Sequence, residues 1–589
     1  MNCFEQQKSS LSGKSVRSGS KKRLACRLGT AAMAAMLALS SPASALACGG
    51  WQPFFPPFFP PFPHHKTNKE VNILYTNDVH SYIDGAITYS KVAGLKNATP
   101  NTLLVDAGDH IQGTAFGSMD RGASIVNMMN TAGYDAATLG NHEFDYGMDS
   151  TLAAVALAKY DYLSCNFFHA SEGVRKDLVL EPYKVYKVNG VKVAFVGITT
   201  PESLTKSVPR NFQDDQGHYI YDIAGGADGQ DLYDRVQETV NQAEKEADYV
   251  IGLGHLGDNP ASDPWNSEDV IEHTSGFDAF IDGHSHSSVP SKSVNDKDGN
   301  PVVLTQTGSS FDSVGKMTIS PKGSITTQLL KADDLSETAP DSATQEAEQK
   351  WIDQVDGELG TEIGSFADEM INYDAQGNRL VRSQETNTAD FCTDALYHVF
   401  DNADQKADCA IINGAKIRNK NLSGSVSYKT CKDIHPSEYM ACLKRVSGQQ
   451  ILDALEWGAQ DCGQTENASF VQVSGIKYQV DTSIPSTVQK DSNNEWAGAP
   501  TGEYRVKNVQ ILDRETGEYK PLDVNASYNL AGYDYILRDF GGGFAMLKDG
   551  ETLAEGVKED YLVLADFIQT FENGIVTGYA NSQGRIEIF

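Results

Sequence analysis

From Val71 onward, short apolar runs alternate with longer stretches in which apolar residues recur at helical spacing. VNILYT, NTLLVD, DAATLG, DYLSCN, VKVAFVG, DYVIGLG, FDAFID and PVVLTQT read as strands. SIVNMMNTAG and DLYDRVQETVNQAEKEA, lying among them, read as helices. Apolar strands alternating with helices predict a layered α/β domain, here over residues 70–335. ETAPDSATQEAEQKWIDQVDGELG follows and is polar nearly all round, with Asp341 or Ser342 placed to cap it. It reads as a connecting helix within 336–360. A second, smaller α/β or α+β unit is expected over 361–589.

Ahead of this body, WQPFFPPFFPPFPHHK carries too much proline for a helix or a sheet ladder. Residues 48–69 are therefore expected to form a stiff spacer. Its His64-His65 pair reads as solvated linker rather than metal site. Further back, Lys21-Lys22-Arg23 and Arg27 precede LGTAAMAAMLALSS, an apolar run too short for a stable membrane anchor. With a small-x-small site at Ala45-Leu46-Ala47, residues 1–47 read as an export signal. Cys48 stands where a bacterial lipoprotein carries its lipid, which makes a lipid anchor there the alternative. Simple secretion is preferred, because Ala45 is a weak residue three places before that cysteine. No later segment is long and apolar enough to span a membrane. The expected location is secreted, periplasmic or cell-surface.

The 589 residues suggest two or three domains, and 40% hydrophobic content suits a folded chain. Net charge is −31. Residues 1–47 hold seven Lys/Arg against Glu5 alone, so removing that +6 leaves −37 on the rest. Such a surface repels nucleic-acid polymers and anionic membranes but not a small anion bound in a locally positive cleft. Among nine cysteines, Cys3 and Cys26 leave with the signal, while Cys392, Cys409, Cys431, Cys442 and Cys462 cluster late. Cys392 with Cys409 is the candidate disulfide, and free buried thiols are the alternative.

Five apolar runs end in side chains able to ligate a metal. ILYT leads to Asn77-Asp78-Val79-His80, LLVD to Asp106-Ala107-Gly108-Asp109, and AATLG to Asn141-His142. YVIGLG leads to His255, and AFIDG to His284-Ser285-His286. Ligands of open α/β sheets bind beyond the carboxyl ends of the strands, so all five loops should open on one sheet edge. Carboxylate, imidazole and amide donors without cysteine suit borderline to hard divalent ions such as Zn, Mn or Fe. There are donors for two ions, and two ions together activate a water and clamp a phosphoryl group. The GNHEFDYG loop packs Asn141, His142, Glu143 and Asp145 between glycines and belongs to this set.

NDVH, DAGD, GNHEFD, GHLG and DGHSH, in this order, resemble the calcineurin-like metallophosphatase domain of the secreted 5′-nucleotidase/UDP-sugar hydrolase family, and GITTPES after VKVAFV also fits. The resemblance covers the chain beyond the spacer. It implies a four-layer α/β sandwich followed by a smaller substrate-binding domain. It implies that Asp78, His80 and His286 hold one ion, that Asn141, His255 and His284 hold the other, and that Asp109 bridges them. His142 would face the phosphate with Asp145 orienting its ring, Glu143 would point elsewhere, and Asp106 would support the site.

The second half matches less closely. NGAKIR keeps Asn413, Gly414, Ile417 and Arg418, but Ala415 and Lys416 replace two glycines of the family motif. Lys416 would add charge near a phosphate. Arg382, with Arg379 as a second candidate, matches a phosphate-binding arginine. Ser437 stands where the family has a stacking aromatic, so Tyr439 is the replacement, facing Tyr535 across a base. Gly542 replaces the acid that contacts a ribose hydroxyl, and Phe544 completes that motif. The resemblance thus implies an exported hydrolase that removes phosphate from 5′-nucleotides through attack of metal-bound hydroxide. The alternatives are the same chemistry on a UDP-sugar or a 2′,3′-cyclic nucleotide, and a surface-binding protein whose site is vestigial.

Overall fold

The computed structural model describes residues 69–589 apart from 215, 402, 404, 492 and 493. The export signal, Cys48, His64-His65 and all but the end of the spacer lie outside the described residues. The chain is mixed α/β in two domains.

All eight apolar runs contain strands, but they build two six-stranded sheets rather than one. The first runs in the order Ile325–Leu330, Val314–Ile319, Val71–Thr76, Thr102–Asp106, Ala136–Thr138, Asp161–Leu163. The second runs Ser288–Asn295, Pro301–Thr307, Ala279–Ile281, Tyr249–His255, Val191–Thr199, Tyr183–Val188. The metal-motif strands pair in parallel within each sheet, as expected for strands joined by helices.

The runs are continuous in apolar residues because each sheet is covered on both faces. Val71, Ile73 and Tyr75 of one sheet share a core with Val193, Phe195, Ile251 and Leu253 of the other. Leu74 and Leu104, on the opposite face, pack with Val92, Val126 and Met129 of the helices Tyr89–Ala98 and Ala123–Ala132. The helix Gln230–Ala243 covers the second sheet through Leu232, Val236 and Val240. The result is a four-layer sandwich.

The connecting helix runs Ser342–Leu359, and the Asp341 carboxylate caps it by accepting from the Thr344 amide at 2.9 Å. It is not solvated all round. Thr344, Glu348, Trp351, Val355 and Leu359 form a buried stripe at helical spacing against the first domain. Trp351 Nε1 donates to the Phe116 carbonyl at 2.9 Å, and Glu348 accepts from the Ser90 amide at 2.7 Å. A glutamate on the buried stripe hid it from a reading by polarity.

The second domain centres on a five-stranded mixed sheet, ordered Val471–Ser474, Cys409–Asn413, Ser527–Tyr533, Ala441–Ser447, Glu551–Ala554. Apolar cores lie on both of its faces. Cys392 and Cys409 are not bonded, and all six described cysteines are free and buried. They serve as small apolar core residues.

Lys416 does not serve the phosphate either. It is 2% exposed and pairs with Asp560, itself fully buried. Its ammonium lies 4.4 Å from the Tyr439 ring centroid and 5.2 Å from that of Tyr533. Breaking a buried pair by removing one partner typically costs about 3–5 kcal/mol. Lys416→Met is therefore expected to lower the stability of the second domain by about that amount in urea unfolding; a loss under about 1 kcal/mol would show the pair to be solvated.

Candidate active site

The carboxyl ends of the two sheets bring the motif loops together. Asp78 and His80 follow the strand Val71–Thr76, Asp109 follows Thr102–Asp106, and Asn141 and His142 follow Ala136–Thr138. His255 ends its own strand in the second sheet, and His284 and His286 follow Ala279–Ile281. Three loops thus come from one sheet and two from the other.

Turning every chain so sharply requires unusual backbone. Asp78, His80, Asp109, His284 and His286 all have left-handed φ, between 49° and 80°. Such non-glycine positions are uncommon and cluster at functional sites. At Gly140 a Cβ would meet Asp109 Oδ1 at 2.2 Å, so only glycine allows these loops to touch.

Two groups of metal-capable atoms result, Asp78–His80–His286 and Asp109–His255–His284. They adjoin: Asp78 Oδ1 is 3.4 Å from His286 Nε2 and 3.9 Å from His255 Nε2 of the other group. Asp109 Oδ2 lies 3.1 Å from His255 Nε2.

Neighbouring oxygens set the histidine tautomers. His80 Nδ1 donates to the Gln112 carbonyl at 2.8 Å, His255 Nδ1 to the Ala107 carbonyl at 2.7 Å, and His284 Nε2 to Glu202 Oε2 at 2.7 Å. In its neutral form each ring therefore has its lone pair on the other nitrogen. His286 Nδ1 faces Arg379 Nη2 at 3.0 Å, and its Nε2 faces His80 Nε2 at 2.9 Å.

Burial is the largest influence on the electrostatics of the group. Burial pushes the Asp78 carboxyl up to about 8. Burial alone would lower His255, but Asp109 and Asp78 raise it to about 10. Burial takes His284 down to about 4 and holds His80 and His286 well below the usual imidazole range. Asn141 Oδ1 is buried without a hydrogen-bond partner. Two carboxylates, four imidazoles and an amide oxygen form a donor set that fits two divalent cations.

Around this group stand His142 and three arginines. His142 Nδ1 donates to Asp145 Oδ2 at 2.6 Å, and Asp145 Oδ1 accepts from Ser207 Oγ at 2.9 Å. Arg418 reaches His142 Nε2 and His80 Nδ1, each at 3.3 Å. Arg379 is held by the Tyr373 hydroxyl at 3.0 Å. Burial and the adjacent Arg379 charge push the Arg382 guanidinium down to about 9, so it remains a cation at neutral pH.

Residues 71–288 match the model of the calcineurin-like phosphoesterase family, and residues 362–549 match that of the 5′-nucleotidase C-terminal domain. The chain thus joins a calcineurin-like phosphoesterase domain to a 5′-nucleotidase C-terminal domain. It is 25% identical over 572 residues to the 5′-nucleotidase of Mus musculus, covering 88% of this chain and 90% of that one. It is 26% identical over 454 residues to the trifunctional nucleotide phosphoesterase YfkN of Bacillus subtilis, covering 69% of this chain but only 29% of that one. The fold matches the crystal structure of a 5′-nucleotidase precursor from Thermus thermophilus with a TM-score of 0.72 at 23% identity, covering 88% and 99% of the two chains. Calcineurin-like phosphoesterases use two divalent metals to hydrolyse phosphoesters, in keeping with the two donor groups.

The residues expected from the family to hold the nucleoside are arranged as follows. Tyr439 and Tyr535 face each other directly, parallel, with ring centroids 5.1 Å apart. Tyr535 Oη donates to the carbonyls of Thr205 and Lys206, both at 3.2 Å, which ties the second domain to the first. Phe544 is fully buried in the core. The carbonyl of Gly542 accepts from Trp457 Nε1 and Ser469 Oγ, at 2.7 and 2.8 Å. Asn413 Nδ2 donates to the Ala468 carbonyl at 3.3 Å and, with Arg382, Arg418, His142 and Tyr535, lines a cavity of about 180 Å³. A larger cavity of about 800 Å³ opens beside His80, His286, Arg379 and Arg418.

Two supporting residues had no role assigned from sequence. Glu202, in GITTPES, orients His284 and is gripped by Lys206 at 3.0 Å and Ser262 at 2.8 Å. Glu143 does point away from the phosphate position, but it is no bystander. Its carboxylate accepts from the amides of Asp109 and His110, both at 2.8 Å, and of Gly140 at 2.6 Å. It thereby staples the Asp109 loop to the Asn141 loop. Asp106 supports the same turn by accepting from His110 Nδ1 and the Gly108 amide, each at 2.9 Å. Removing such supports typically weakens metal affinity by about 10–100-fold. Glu143→Ala is expected to fall in that range in chelator-competition titrations of bound metal; affinity within twofold of wild type would limit Glu143 to general stability.

Proposed function

We propose that the chain is an exported two-metal phosphohydrolase acting on phosphate monoesters, with 5′-nucleotides as the leading substrates. The reading rests above all on one convergence: two adjacent metal-capable groups, an Asp-oriented histidine and guanidiniums meet at one position. Asp78, His80 and His286 would hold one cation; Asn141, His255 and His284 the other, with Asp109 between. When bound, the ions supply Lewis-acid charge and an activated water.

The chain's own groups do the rest. Arg379, Arg382 and Arg418 bind the non-bridging oxygens and fix the phosphorus. His142, with Asp145 holding its Nδ1 proton, presents Nε2 to the oxygens that gain charge as the bond breaks. Glu202 and the Ala107 and Gln112 carbonyls keep the imidazoles in register. Nucleotides lead because the family matches extend through the second domain and because relatives bear the name 5′-nucleotidase. Export is supported by the pattern from Lys21 to Ala47 and by the relative from the venom of Naja atra.

A second reading, with another alcohol or phosphate as leaving group, is favoured by the buried Phe544 and the self-paired tyrosines.

Phosphate release from AMP is expected with Zn or Mn, to vanish on exhaustive chelation and to return on re-addition. His142→Ala is expected to lower kcat by about 10²–10³-fold, with KM changed far less. Full activity after chelation, or in Asp109→Ala, would sink the two-metal reading.

A further inference from the structure

The geometry points to Glu466 as a specificity-determining residue, one that confines the site to monoesters with an uncharged leaving group and turns away phosphoanhydrides such as nucleoside diphosphates. The inference rests on the phosphohydrolase reading above and decides between its leaving groups. Three observations carry it.

First, Glu466 stands on the phosphate-binding guanidiniums. Its Oε1 lies 3.8 Å from Arg382 Nη1 and is the one acidic partner of that arginine among the described residues. The backbone fixes the approach, because the Asn467 amide donates to the Arg382 carbonyl at 2.9 Å. Burial raises the Glu466 carboxyl, but Arg382, Arg379, Lys206 and Arg418 together bring it below its usual range, so it is an anion at neutral pH.

Second, Glu466 lies beside whatever is attached to the phosphorus. The phosphate position opens on the cavity beside Asn413 and Arg418 and on the one beside His80 and Arg379. Glu466 lines both. It ends an exposed turn, Gly463 to Glu466, in which the amides of Gln464 and Thr465 donate to the Asp461 carbonyl at 3.0 and 3.2 Å.

Third, the rest of the walls does not offset that charge. Asp461 adds a carboxylate to the first cavity, and Asp312 adds one to the second. The lysines of these walls already have partners. Lys206 pairs with Glu202 at 3.0 Å, while Lys490 and Lys420 lie over the Trp457 and Tyr82 rings, each 5.6 Å from the centroid. A neutral alcohol meets no opposition in this field. A leaving group that is itself a phosphate sets a second anion against fixed carboxylates, and like charges so placed cost binding. The arginines hold the reacting phosphate in either case, so the discrimination falls on what is attached to it.

The test compares AMP with ADP on the metal-loaded, full-length protein. ADP is scored by the initial rate at which water displaces AMP from the terminal phosphorus. Wild type is expected to favour AMP in kcat/KM. Glu466→Gln keeps the shape and removes the charge, and is expected to raise the ADP-to-AMP ratio of kcat/KM at least about fivefold. Glu466→Asp keeps the charge and is expected to leave that ratio within about threefold of wild type. Thermal melting checks that both variants fold. A smaller rise in Glu466→Gln, an equal rise in Glu466→Asp, or a wild type that favours ADP overturns the assignment. Wild-type protein that cleaves p-nitrophenyl phosphate but neither nucleotide sinks the nucleotide reading instead. Glu466 is then scored on pyrophosphate against p-nitrophenyl phosphate with the same thresholds. A protein that cleaves no monoester overturns both.

Discussion

Two carboxylates buried almost without exposure, Asp78 and Asp109, are the constraint on which the first domain depends. Desolvated like charges at close range are costly, and burial alone drives Asp78 far toward its neutral form. The surroundings answer that cost with inward-facing imidazoles and with backbone amides. His284 N reaches Asp78 Oδ2 at 2.9 Å, and His142 N reaches Asp109 Oδ1 at 2.8 Å. The four layers place these groups where two sheet ends meet, so no single sheet has to supply them all.

Around that centre the support is built from groups that keep one charge state at neutral pH; Lys206 and His284 hold the Glu202 carboxyl well below its usual range despite burial. Main-chain carbonyls of Ala107 and Gln112 orient two imidazoles, and Glu202 orients a third. The short helix Ser203–Lys206 begins just after Glu202, and the Tyr535 hydroxyl of the second domain lands on the carbonyls of Thr205 and Lys206. One turn of backbone therefore touches both the ligand support and the interdomain wall.

Much of this was legible in the sequence, and the limits have physical causes. Continuous apolar runs ending in Asp, Asn and His marked strands and their ligand ends, because sheets buried on both faces leave polar residues only at their tips. The same runs said nothing about pairing, so the division into two sheets came only from the four layers that the resemblance implied. Glu143 went unassigned because its partners are amides of another loop, and amides carry no sequence signal. Lys416 was misplaced because its partner Asp560 lies 144 residues away. The tyrosine pair was found as a pair, but composition cannot say whether two rings face a ligand or one another.

The left-handed ligand positions bear on how this site can change over time. Asp and Asn tolerate such backbone, His less readily, and glycine best of all, whereas branched or bulky residues resist it. Selection at Asp78, His80, Asp109, His284 and His286 therefore acts on a dihedral angle as well as on a donor atom. A lineage that abandoned the metals would relieve strain most easily by drifting to glycine at these five places. The backbone turns would then outlast the chemistry, leaving the outline of the site in a protein that no longer used it.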